Sequence, residues 1–295
     1  MSQQNPSEHI SASLRKVLNS HGHGFHYAVI ERAAQLSSER RSQWIFEGSE
    51  FPISVRGQTT HVDFILTTRT GRTLIVAECK RADPALSVWC FARNPYTWRD
   101  PYEHEVVFER VMRGSESTNA VCKSIITYSH DKSVYHLGFQ LKTNQKGGGN
   151  GQRHSAINEA VTQVLRSTSG IMNYLNGDAD LLKESRGMAT VIPVIFTTAH
   201  LWTTDVDLGK ADLESGNVDL EAVKAQKVDW IWFTHNRSPV LSPELPILKP
   251  EVSSHLRSTN RFSDALRHEF ARSIAIVSTT GIDSFLCWDV EHWLR

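Results

Sequence analysis

Residues 61–80 read HVDFILTTRTGRTLIVAECK: two apolar runs joined across Gly71, with Asp63 at the end of the first and Glu78-Cys79-Lys80 closing the second. Charged groups are costly on a buried strand unless they are paired or bind a metal. Side chains alternate along a strand, so Glu78 and Lys80 share one face and Cys79 takes the other. If the chain folds back at Gly71 as a hairpin, Asp63 comes within reach of Glu78. Two carboxylates and one ammonium then gather at one edge of an apolar sheet. Close carboxylates repel unless a divalent cation lies between them, and hard oxygen donors favour Mg²⁺ or Mn²⁺. Such an ion lowers the pKa of water and stabilises charge on phosphate oxygens. A neighbouring lysine orients the water or neutralises that charge. The bland alternative is a hairpin with a Glu78–Lys80 surface salt bridge, since E-x-K is a short pattern. The Lys-Arg-Ala-Asp-Pro break directly afterwards favours the metal reading.

The chain around this hairpin is organised as helix, strands, helix, strands. PSEHISASLRKVLNSHG opens with proline and serine and spaces Ile10, Leu14, Val17 and Leu18 helically. A second helix is predicted through FHYAVIERAAQLSSERRSQWIF, and the histidines at 21, 23 and 26 are read as its terminus or turn because glycines flank His23. FPISVR, HVDFIL and TLIVAECK read as three strands with turns at Gly57 and Gly71. The next helix begins near residue 156 in NEAVTQVLRSTSGIMNYL. TVIPVIFTT and VDWIWFTH follow as apolar strands of the kind buried on both faces of a mixed sheet. Near the end, SIAIVST reads as a strand and Trp288 and Trp293 as a docked terminus or partner contact.

This pattern resembles the PD-(D/E)XK, or restriction-endonuclease-like, phosphodiesterase superfamily. Asp63 matches the first acid of the motif, Glu78 the second and Lys80 the lysine, with Val62 where the pattern has proline. The resemblance implies one α/β domain with an αβββαβ core, a central mixed sheet flanked by helices. The core would span about residues 25–82 and 155–235, with an insertion at 83–154 and a C-terminal extension at 236–295. It implies Mg²⁺ (or Mn²⁺) held by Asp63, Glu78 and the backbone carbonyl of Cys79, with Lys80 acting on the attacking water. Family members often add a glutamate from the preceding helix. Glu31 is the candidate, ahead of Glu47 near the expected helix-to-strand turn. Gln163, Lys142 and Arg81 are the expected nucleic-acid contacts. Gln140 and Lys142 in GFQLKT also make a rival motif, set aside in favour of an added strand beside the active edge.

The implied activity is metal-dependent endonucleolytic hydrolysis of phosphodiester bonds in nucleic acid, DNA first. The implied setting is the effector of a bacterial restriction or antiphage system, with an activating protein partner or a homo-oligomer. The alternatives are a catalytically silent nuclease-like scaffold and an RNA-directed or repair nuclease. The net charge of zero over 295 residues gives no global basic excess for nucleic acid. Locally, residues 52–82 carry Arg56, Arg69, Arg72, Lys80 and Arg81 against Asp63 and Glu78. Residues 205–221 hold six acids and Lys210. The four cysteines lack C-x-x-C spacing, no apolar run approaches the ~18 residues of a membrane span, and the first residues lack a signal-peptide layout. The expectation is a cytoplasmic protein with no membrane partner.

Overall fold

The computed structural model describes residues 6–20, 22–55, 57–71, 73–92, 102–109, 111–113, 116–118, 122–128, 134–135, 137–142, 155–177, 188–219, 221, 223–234 and 273–288. Helices α1 (Pro6–Ser20) and α2 (His23–Ser38) lead into strands β1 (Trp44–Val55), β2 (Gln58–Thr68) and β3 (Thr73–Lys80). Short strands follow: β4 (Val88–Ala92), β5 (Tyr102–Glu109), β6 (Val111–Arg113), β7 (Glu116–Thr118), β8 (Cys122–Tyr128), β9 (Val134–Tyr135) and β10 (Leu137–Leu141). Helix α3 (Ser155–Gly177) precedes β11 (Met188–Thr197), β12 (His200–Thr204), β13 (Ala225–Val228), β14 (Trp230–Thr234), β15 (Ser273–Ser278) and α4 (Ile282–Leu286).

The main sheet runs β1-β2-β3-β11-β15-β14-β9, with β5 paired to the start of β11 and β8 paired to β5. It is mixed: β3, β11 and β15 are parallel neighbours, whereas β1-β2-β3 is an antiparallel meander and β14 runs against β15. Parallel strands need a crossover, and α3 lies on the one between β3 and β11. Both sheet faces are covered, which is why β3, β11 and β15 read as unbroken apolar runs. On one face Val29, Ala33 and Leu36 of α2 join Phe285 and Leu286 of α4 over Phe64, Ile75, Ala77 and Phe196. Across this layer the Arg32 guanidinium of α2 grips the Asp283 carboxylate of α4, with Nε 2.6 Å from Oδ1. On the other face α3 packs Ile157, Val161 and Val164 against Ile195 and Ile276. That layer also contains Trp89, Phe91 and Leu201 from a second sheet of order β10-β4-β12-β13.

Three expectations are corrected. The second helix stops at Ser38, not Phe46. The chain passes through a left-handed residue, Arg40 (φ 57°), and WIF opens β1, because Trp44 and Ile45 pair with Thr68 and Thr67 of β2. Glu47 therefore sits exposed at a register shift within β1, away from any helix end. The strand in GFQLKT does not flank the acidic edge. It pairs with β4 in the second sheet, where Gln140 is buried and its side-chain oxygen accepts from the Ala156 amide at the start of α3. SIAIVST, assigned to a peripheral extension, lies inside the main sheet between β11 and β14. Trp288 docks against Trp230, Trp232 and Phe285, whereas Trp293 is outside the described residues. No helix among the described residues is long and apolar enough to cross a membrane.

Helix α3 lies close to the sheet because its middle is small: Ser167, Thr168, Ser169 and Gly170 are all buried. A Cβ on Gly170 would meet Ile53 Cδ1 of β1 and come within 2.9 Å of its Cβ. Glycine in a helix interior ordinarily costs about 1 kcal/mol relative to alanine. Here the clash outweighs that gain, since overpacking a tight contact costs about 1–3 kcal/mol. Gly170→Ala is expected to lower stability by about 1–2 kcal/mol, read as a lower urea midpoint. A midpoint at or above wild type would show that α3 is not held this tightly.

Candidate metal centre

The centre is built where β2 and β3 part. Gly71, with φ 66°, turns the chain between them, and their ladder runs from Thr67↔Leu74 to Phe64↔Ala77. Beyond that pair, Asp63 replaces a backbone acceptor: its Oδ2 receives the Cys79 amide at 2.6 Å. A short bond of this kind to a carboxylate is charge-assisted. Strand alternation puts Asp63 and Glu78 on the α3 side of the sheet, and places the Cys79 side chain against the apolar cluster under α2. The Cys79 thiol is correspondingly pushed well above its usual range by burial.

Glu78 is only 5% exposed. Lys80 Nζ lies 3.3 Å from its Oε1 and 3.4 Å from Oε1 of Glu159, projecting from α3. Despite the ammonium, burial first and the Asp63 charge second lift the Glu78 carboxyl to about 8. Desolvation of two acids outweighs one adjacent cation. Asp63 is also raised, mainly by burial, while the Cys79 amide and then His26 oppose the rise. A half-buried and a buried acid that resist ionising side by side are the electrostatic state a divalent cation relieves.

A second group adjoins this one from the α2 side. The register places Glu50 of β1 opposite Asp63, between Ser49↔Phe64 and Phe51↔Val62. Glu50 has a left-handed backbone, φ 51°, which breaks the regular alternation. Its Oε1 lies 3.6 Å from Nδ1 of His26 and 3.9 Å from Nδ1 of His23, both in the first turn of α2. The three ligand atoms fall within 4.8 Å of one another, a compact set able to hold a divalent cation. His26 is buried, its ring stacked on Phe64 and Tyr27. The charges of His26 and Glu50 both reach Asp63.

Of the residues named from sequence, Asp63, Glu78 and Lys80 come together with the Cys79 backbone. Glu31 is on the exposed side of α2, opposite the buried stripe of His26, Val29, Ala33 and Leu36. The helix thus turns His26, not Glu31, toward the sheet. Gln163 lies one turn beyond Glu159 on α3, half-buried, its side-chain oxygen without a hydrogen-bond partner among the described residues. Arg81 and Lys142 are exposed. Glu50 and Glu159 escape the sequence reading, which names His23 and His26 only as a helix terminus or turn. The spacing of His23 and His26 was the available signal, and the adjoining glycines had argued it away. No protein-family model, curated protein or solved structure matches this chain.

The electrostatics give a pH signature. Between the ordinary glutamate value and about 8, the folded chain holds a proton on Glu78 that the unfolded chain has released. This group's contribution to stability is full below the ordinary value and is lost as pH rises through about 8, by at most ~1.4 kcal/mol per pH unit. Without divalent cations, the melting temperature of wild type should fall from pH 5 to 9 more steeply than that of Glu78→Gln. Parallel curves would mean that Glu78 ionises normally.

Proposed function

We propose that this chain is a divalent-metal-dependent nuclease of the PD-(D/E)XK type, hydrolysing phosphodiester bonds of nucleic acid, DNA first. The observation that carries the reading is the pairing of half-buried Asp63 with buried Glu78 at the fork of β2 and β3, with Lys80 held between Glu78 and Glu159. The αβββαβ order of α2, β1–β3, α3 and β11 supports it. The residues fit Mg²⁺ or Mn²⁺: two hard carboxylates, both raised by burial and the second also by its neighbour, gain from a dication.

A cation held there would supply positive charge to a phosphate oxygen and favour ionisation of a water. The chain's own groups do the rest. Asp63 is oriented by the Cys79 amide, so its free oxygen is fixed before substrate arrives. Lys80 is steadied by Glu78 and Glu159 and presents an ammonium to the charge that develops on the phosphoryl oxygens. Glu78 must release its proton on loading, so metal affinity should rise with pH toward 8. An activating partner or a second copy, and a role in defence, extend the same proposal: a chain of zero net charge draws little affinity for nucleic acid from its global field.

The test compares wild type with Asp63→Ala, Glu78→Ala and Lys80→Ala on supercoiled plasmid, linear duplex, single strands and RNA, with Mg²⁺, Mn²⁺ or EDTA. Wild type should cut only with metal, and each variant should lose at least about 10²-fold in rate while melting cooperatively. Wild-type-like cutting by any variant removes that residue from the site. Silence of wild type on every substrate, with no metal-induced rise in melting temperature, would favour a nuclease-like scaffold.

A further inference from the structure

We infer that His23, His26 and Glu50 form a separate site for a transition-metal ion of the zinc, manganese and cobalt class, beside the Asp63–Glu78 pair. The inference does not depend on phosphodiester hydrolysis. It rests on a donor set that makes a poor ion pair and a good ligand shell. Neither imidazole is within hydrogen-bonding distance of Glu50, at 3.6 and 3.9 Å, yet both Nδ1 atoms lie within 4 Å of the same carboxylate oxygen, Oε1. An ordinary histidine–glutamate pair would close to about 2.7–2.9 Å. Ligands of one tetrahedral zinc, about 2.0–2.2 Å from the ion, stand about 3.4 Å apart. The two histidine–glutamate spacings need only a few tenths of an ångström of closure, and the histidine–histidine spacing lies within 4.8 Å.

Burial points the same way. His26 is 3% exposed, and its Nε2 has no hydrogen-bond partner among the described residues. A buried, half-satisfied imidazole is unfavourable unless something repays its desolvation. Ligation at Nδ1 gives the ring one strong partner and leaves the proton on Nε2, the atom without a partner among the described residues. Helix α2 begins at His23, so the two histidines are three residues apart on one turn, and the left-handed backbone at Glu50 turns the carboxylate to meet them. Two imidazoles and one carboxylate suit borderline ions and are a poor match for Mg²⁺, which takes oxygen donors. Three protein ligands also leave a coordination position for water or a substrate oxygen.

Calorimetric titration of the full chain with Zn²⁺, and with Mg²⁺ as comparison, tests this, together with the visible absorption of bound Co²⁺. Wild type should take up Zn²⁺ and give a Co²⁺ spectrum. The double variant Asp63→Asn/Glu78→Gln should keep both signals. His23→Ala and Glu50→Gln, both at half-exposed side chains, should weaken Zn²⁺ binding at least about tenfold and erase the Co²⁺ spectrum. Losing even a ligand's hydrogen-bond partner costs about 10–100-fold. Absence of binding in wild type, binding undiminished in His23→Ala and Glu50→Gln, or loss confined to the Asp63/Glu78 variant would each overturn the site. Mg²⁺-dependent cutting, measured separately, reports on the carboxylate pair whatever the Zn²⁺ result.

Discussion

The hydrogen bond from the Cys79 amide to Asp63 ties the backbone of the fold to its chemistry. It forms where the β2–β3 ladder runs out, so a part-buried amide beyond the last β2 pair is satisfied by a carboxylate. The same bond keeps an acid inside a largely apolar environment, which burial alone would disfavour. Glu78, one residue earlier on β3, then cannot escape its neighbour, and Lys80 is drawn in to offset part of the cost. Breaking the sheet at this point therefore creates both the strain and the groups that make use of it.

The layers on either side have different jobs. On the α3 side, the Ser-Thr-Ser-Gly stretch lets the helix sit low on β1, which brings Glu159 to Lys80. On the α2 side, a broad apolar stripe anchors the helix, and only its first turn carries histidines toward the sheet. Two groups of opposite chemical softness thus flank Asp63, oxygen-rich on one face and nitrogen-rich on the other. Each is presented by an element whose remaining contacts are structural.

What the sequence revealed follows from interaction range. Asp63, Glu78 and Lys80 could be placed together because a two-strand hairpin and side-chain alternation are local rules. The burial of β3, β11 and β14 was legible in their unbroken apolar letters. The end of α2 was not, since SERRSQ consists largely of good helix formers and only pairing with Thr67 and Thr68 draws Trp44 and Ile45 into a strand. Glu50 gave no sign of its left-handed backbone, because glutamate is not a residue that favours it. Glu159 is an exposed helix position that meets Lys80 across 79 residues of sequence, and Gln140 finds β4 only through the second sheet. Each miss is a long-range contact overriding a local preference.

The position of β15 has a consequence for how the molecule comes into being. Residues 273–278 lie between β11 and β14, strands that leave the ribosome at least some forty residues sooner. Until β15 arrives, β11 is open along Val194–Thr197 on the edge away from β3, and the floor beneath the acids lacks its neighbour. Nascent chains would then carry the whole acidic motif without a finished sheet to hold it. Closure of this sheet, and with it the setting of the acids, waits until β15 is translated.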